Sequence, residues 1–261
     1  MTLLFHELRR NKISLIIWSF VIAFMLGVSI LIYPEMSSQM DELSSMMSDM
    51  GSFSSAFGMD QLNFGEFMGY FAIECGNTLG LGGAMFAAIL GATALAKEEK
   101  DGTAEFLLTH PISRTKIITE KLLAVICQLA LLNAVVVAVT FIGIAVIGAE
   151  FEFAKIALVL LSYFLLQVEF AAITFGISAF MKNGSVGVGL GVVFGTYFIN
   201  ILANLTDELE VLKYITPFGY ADGAHIIPEG SIEIKYLAVG LAFTVLGIVA
   251  AYLKYTKKDI T

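Results

Sequence analysis

Six long apolar runs constrain this chain more than any other feature. A helix needs roughly 20 mostly apolar residues to cross about 30 Å of hydrocarbon at 1.5 Å per residue. Runs of that kind occupy residues 13–33, about 68–96, about 121–148, 156–181, 186–205 and 236–253. Hydrophobic residues make up 57% of the 261 positions and charged residues 15%, where soluble domains carry about 25% charged residues. No soluble fold of this length has an interior large enough to hide that much apolar surface. Strands of a membrane barrel would be about 10 residues long and would alternate in polarity, whereas these runs are longer and uniformly apolar. The sequence therefore predicts an all-α polytopic membrane protein, residues 1–261 forming a single domain with six spans.

Other classes fall away on composition. Disorder requires low hydrophobicity, and a disulfide-stapled module requires more than the two cysteines, Cys75 and Cys127, present here. The formal charge of −8 conceals a segregation of acids from bases, and no basic face tracks the phosphates of a nucleic acid. The first run follows Arg9, Arg10 and Lys12. It exceeds the 7–15 apolar residues of a signal peptide and lacks an Ala-x-Ala site, so it is expected to be a retained helix.

Lysine and arginine set the orientation. With the N-terminus in the cytoplasm, six spans return the C-terminus there as well. Arg9, Arg10, Lys12, Lys97, Lys100, Arg114, Lys116, Lys121, Lys182, Lys254, Lys257 and Lys258 then lie inside, and only Lys155, Lys213 and Lys235 outside. The expected location is the cell membrane, with both ends cytoplasmic.

Residues 1–12 place Leu4, Phe5 and Leu8 on one helical face beside basic residues. This segment is either an interfacial amphipathic helix or a flank that only sets topology. The first outer loop, residues 34–67, spaces Met36, Met40, Leu43, Met47 and Met50 near helical period after Pro34. That spacing suggests a short amphipathic helix on the outer leaflet; thioethers also suit soft metals, but no cysteine or histidine accompanies them. The last outer loop, residues 206–235, is expected to form one or two short helices dipping into the outer face.

Within the membrane, Glu169 falls near the midplane, where a carboxyl is a functional candidate. The alternative is an acid hydrogen-bonded to Gln128, Asn133 or Asn200. Glu74 lies a turn or two from the outer edge of its span and is expected to face water or headgroups. Gly187, Gly191 and Gly195 in the fifth span, and Gly80, Ala84 and Ala88 in the second, have the small-xxx-small spacing that lets helices approach closely. They are expected to pack spans within the subunit or at a dimer seam.

Between the second and third spans runs KEEKDGTAEFLLTHPISRTKIITEKL, residues 97–122. Gly102 permits a tight turn off the membrane helix. Asp101 or Thr103 suits an N-cap and Glu105 the first turn. Ala104, Phe106, Leu107 and Leu108 form an apolar cluster, Pro111 ends the element, and Ser113 suits the cap of the third span. The expected product is a cytoplasmic helix over about 103–109, roughly 10 Å long. A helix this short is not stable alone in water, so lipid headgroups or a partner must cover its greasy side.

This stretch resembles the signature of permease subunits of ABC-2-type exporters. The match comprises the acidic pair Glu98 and Glu99, then Gly102 and Thr103, Glu105, Leu107 and Leu108, Pro111, Arg114, and Lys121 opening the third span. The resemblance implies that residues 103–109 are a coupling helix docking on a separate ABC ATPase. Glu98, Glu99, Gly102, Thr103, Glu105, Phe106, Leu107, Leu108, Pro111 and Arg114 would contribute to that interface. It further implies a second permease, identical or a paralogue, and ATP with magnesium held by the partner rather than by this chain. Consistent with that division of labour, the chain carries no Gly-x-x-x-x-Gly-Lys-Ser/Thr loop and no catalytic or metal-site motif. The competing expectations are a stand-alone secondary transporter or channel using Glu169, and a membrane assembly factor that handles metal or sulfur species through the methionine-rich loop.

Overall fold

The computed structural model describes residues 2–49, 62, 65–100, 102 and 112–258. Among these the fold is entirely helical, and six helices are long and apolar enough to cross a membrane. The protein is a multi-pass membrane protein. Six crossings put both ends of the chain on one side, termed the terminal face here; the opposite side is the far face.

Helix α1 (Thr2–Arg10) carries Arg9 and Arg10 in its last turn, where cations complement the helix dipole. It turns at Asn11 into α2 (Lys12–Asp49). Ile13, Ile16, Ile17, Phe20 and Phe24 of α2 are exposed while Ile22, Leu26 and Ile30 are buried, so one face meets lipid and the other the bundle. Proline lacks the N–H that would bond one turn back, and the first apolar run ends at residue 33, just before Pro34. The structure instead carries the helix through it. One lost hydrogen bond does not stop a helix whose following residues (Glu35, Met36, Gln39, Met40) are competent helix formers.

The second span runs Phe67–Ala94 as α3 (Phe67–Cys75), a π-helical stretch (Gly76–Gly82) and α4 (Gly83–Ala94). After it come the single turn α5 (Lys97–Lys100), the third span α6 (Arg114–Ile147) and the fourth, α7 (Phe153–Ser178). The fifth is α8 (Val186–Ala203) and the sixth α10 (Ile234–Lys257). Two 3-10 turns (Asp207–Ile215 and Pro217–Gly219) and the short α9 (Gly223–Glu229) lie between the last two spans. The third span begins seven residues before Lys121, because Ser113 caps it: its Oγ accepts from Lys116 N–H at 3.3 Å. Such a cap contributes about 1 kcal/mol.

At the centre stands α7, with α4 on one side and α10 on the other; α6 packs on α2, and α8 on α4. Lipid does not drive helices together, so close backbone approach and interhelical hydrogen bonds must. A Cβ on Gly80 would meet the Tyr163 ring at 2.9 Å, one on Gly83 would strike the Gln167 amide, and one on Gly91 would strike the Ala171 carbonyl. Ala84 and Ala88 of α4 are fully buried as well. Asn133 donates to Gln167 Oε1 at 2.7 Å, and the Gln167 amide reaches the Leu79 carbonyl in the π-helical stretch. The α7–α10 crossing rests on a pair the sequence did not single out, Gly176 and Gly247. A Cβ on Gly176 would lie 2.6 Å from the Gly247 carbonyl oxygen.

The fifth span differs from expectation. Gly187, Gly191 and Gly195 are exposed, and nothing lies within 4 Å of a Cβ added at Gly191 or Gly195. Gly189 makes the contact instead, its added Cβ 2.8 Å from the Ala88 carbonyl, with Val193 one turn on fully buried. Residues two apart on a helix point to nearly opposite sides, so the face holding 189 and 193 turns the other three glycines outward.

Candidate coupling site

At the terminal face the loop between α5 and α6 is rooted in a buried ionic network. The Lys121 side chain is 1% exposed, its ammonium 2.5 Å from Glu98 Oε1 and 2.9 Å from Glu7 Oε1, and it also donates to the Ala94 carbonyl at 2.8 Å. All three of its donors are thereby used. Burying charges is costly unless they are paired and hydrogen-bonded; here one cation serves two carboxylates. Arg10 adds a second cation 3.7 Å from Glu98. Burial raises the Glu7 carboxyl, but the charges of Lys121, Arg10 and Lys97 outweigh it and hold Glu7 below the usual carboxylate range.

Glu99 turns to the other side. Its Oε1 lies 2.6 Å from the Lys258 ammonium, and Lys258 also donates to the Met181 carbonyl at 2.6 Å, just past α7. Arg114 caps the end of the sixth span, donating to the carbonyls of Tyr255, Thr256 and Lys258 at 3.4, 3.3 and 2.5 Å. The last four carbonyls of a helix have no partner inside it, and a guanidinium with five donors suits them. The N-terminus of α1 is held in the complementary way, Leu3 and Leu4 N–H donating to Glu120 Oε2 at 3.0 and 3.1 Å. Lys97 donates to Asn11 at 3.1 Å, and Thr119 bonds Tyr252 at 2.7 Å.

Gly102 leaves this platform with φ +65°, its N–H bonded to the Glu99 carbonyl and its position exposed. Left-handed backbone of this kind favours glycine, as the sequence indicates. Thr103, Glu105, Phe106, Leu107, Leu108 and Pro111, with the helix expected over 103–109, lie outside the described residues. Of the remaining four interface candidates, Glu98, Glu99 and Arg114 point back into the subunit. Within the subunit Glu98 and Glu99 pair with lysines and Arg114 caps a helix end, so these three brace the root of the loop.

The intramembrane acids also find partners that local sequence does not reveal. Tyr220, from the segment before α9, donates to Glu169 Oε2 at 2.9 Å with both residues buried. None of the amides at 128, 133 and 200 fills that role: Gln128 bonds its own helix, Asn133 its own helix and Gln167, and Asn200 Oδ1 has no partner. Glu74 is half-buried and accepts from Ser29 Oγ at 3.0 Å, tying the first two spans together rather than facing open water. Among the described residues no cluster of three or more His, Cys, Asp or Glu could hold a metal.

A family model described as ABC-2 family transporter protein matches residues 1–260. The chain belongs to the ABC-2 transporter family. Comparison with curated proteins finds no match. As a family member the chain is a membrane permease component of an ABC transporter, and the ionic platform at the root of its second interspan loop is a feature of this permease itself.

Proposed function

We propose that this permease moves substrate outward, driven by ATP hydrolysis on a separate ABC ATPase docked at the loop over residues 103–109. The working unit contains two permeases, and ATP with magnesium is held by the partner. The loop would face the cytoplasm, following the distribution of lysine and arginine, in the plasma membrane of the cell.

The observation that supports this most is the rooting of the loop. Glu98 and Glu99 at its start, with Arg114 and Lys121 after it, bind α1, α6 and α10 and the end of α7 into one block. A push on the loop is thereby delivered to several helices rather than lost in a flexible connector. ATP-bound closure of the ATPase pair would draw two such loops together and tilt the attached spans. The bias between the two arrangements comes from the differential affinity of ATP for them.

The test is purification of the tagged permease from its native membrane, with its bound subunits identified by mass spectrometry. An ABC ATPase is expected in the complex. Gly102→Val combined with Phe106→Ala should lose that subunit while the permease remains inserted. A double variant that retains the ATPase and full ATP-dependent transport rejects docking at this loop.

A further inference from the structure

On the far face, away from the coupling loop, a cavity of about 90 Å³ opens between the start of the second span, α7, α8 and the segment before α9. That volume accommodates several waters or one small head group. Asn77 lines it beside the first residues of the π-helical stretch, Tyr163 comes from α7, Tyr197 and Asn200 from α8, and Phe218 and Asp222 from the connecting segment. π-helical turns recur at functional sites.

The polar atoms of this lining point to one chemistry. Asn200 Oδ1 is buried without a hydrogen-bond partner, and a buried acceptor left idle carries a cost. Asp222 accepts from Ala224 N–H at 3.0 Å through Oδ1. Burial pushes the Asp222 carboxyl above its usual range, and Lys213 and His225 draw it back only through space. Among the described residues no lysine, arginine or histidine stands within ion-pairing distance of it, so a bound cation would restore its charge. No cationic side chain among the described residues lines the cavity. Three aromatic side chains, Tyr163, Tyr197 and Phe218, share the lining with aliphatic and small residues such as Ile73 and Ile201, and Tyr197 and Phe218 meet edge to face with ring centroids 5.4 Å apart. A carboxylate and an unsatisfied carbonyl in a partly apolar cavity call for a ligand that donates hydrogen bonds, carries positive charge and has an apolar side.

We propose that this cavity binds an alkylammonium group. The three N–H donors of a primary ammonium match Asp222 and Asn200, and its alkyl side packs on Tyr163, Tyr197 and Phe218. The group belongs either to a soluble amine or to the headgroup of an aminophospholipid in the adjacent leaflet. The assignment is independent of the ATP-coupling reading, since it rests on a different end of the molecule.

The experiment titrates methylammonium chloride, against sodium chloride at equal ionic strength, into the full chain purified in lipid-free detergent. The thermal unfolding midpoint is read. A saturable rise of about 2–4 °C at ten times Kd is expected with methylammonium alone. Asp222→Asn should remove the rise while preserving the ligand-free midpoint, because asparagine caps α9 as well as aspartate does. Asn200→Leu should weaken binding about tenfold. Reconstitution identifies the source: in phosphatidylethanolamine nanodiscs a lipid headgroup would already fill the site and abolish the methylammonium response. A soluble-amine site would respond there and in phosphatidylcholine alike. No rise in detergent, an equal rise with sodium, or an undiminished rise in Asp222→Asn overturns the proposal.

Discussion

The ammonium of Lys121 lies 2.5 Å from the carboxylate of Glu98, a contact that closes the loop between the second and third spans at its base. Glu7 adds a second carboxylate from α1. Removing the shared cation would leave two acids facing one another in a buried site. Breaking a buried pair from one side costs about 3–5 kcal/mol, so Lys121→Met should destabilise the detergent-solubilised protein by that amount in denaturant titration. Adding Glu7→Gln and Glu98→Gln should recover at least half of the loss, since the repulsion then has no source. A Lys121→Met variant as stable as the parent would show that the network carries no energy.

Glu7 makes the same platform sensitive to acid. Its carboxyl titrates below the usual range in the folded protein, because the surrounding cations outweigh the effect of burial. A depressed folded value means that the unfolded chain binds the proton first. The stabilisation is therefore complete above the unfolded value of about 4.5 and is lost as pH falls through the lower folded value. Thermal midpoints recorded from pH 7 to pH 3 should decline below about pH 4.5. Glu7→Gln should flatten part of that decline, and an identical acid profile in both proteins would exclude Glu7 from it.

Much of this architecture is legible in the sequence, and the parts that are not share a cause. Hydropathy reports which segments leave water, so the six spans are found; local chemistry reports the Ser113 cap and the Gly102 turn. Neither reports how a helix is rotated. Gly187, Gly191 and Gly195 have the spacing of a packing face, yet the neighbouring register through Gly189 meets Ala88. Nor does either report partners far along the chain: Tyr220 lies 51 residues from Glu169, and Lys258 meets Glu99 only because the sixth span returns to the terminal face. The acidic pair and Arg114 read as interface residues from a motif alone. Within the subunit they pair with Lys121, Lys258 and the end of the sixth span, contacts that a motif does not report.

The rotation of α8 gives a paired test. Gly189→Leu drives a side chain into the Ala88 backbone, where overpacking costs about 1–3 kcal/mol. Gly191→Leu points into open space on the same helix and should change the stability of the isolated subunit by less than about 0.5 kcal/mol. If the outward glycine face joins two permeases, Gly191→Leu should lower the dimer fraction seen by crosslinking without lowering the midpoint. Equal destabilisation by both variants would contradict the helix rotation seen here.

Glu169 is wedged between a donor and a glycine. The Tyr220 hydroxyl donates to Oε2, and a Cβ at Gly240 would strike that same oxygen. Glu169→Gln retains a carbonyl oxygen for Tyr220 to bond, so the fold should lose no more than about 1 kcal/mol. Tyr220→Phe leaves a buried acceptor without its donor and should cost about 1–3 kcal/mol. Gly240→Ala should cost a similar amount by pushing the carboxyl off the hydroxyl. Because the last two break one contact, the double variant should be less destabilised than the sum of the single effects. Transport separates structure from function at the same residue: if Glu169→Gln keeps both stability and rate, the carboxyl serves to anchor the Tyr220 segment against α7. A variant that folds normally but no longer transports would instead place the acid on the substrate path, and additive losses from Tyr220→Phe and Gly240→Ala would refute the shared contact.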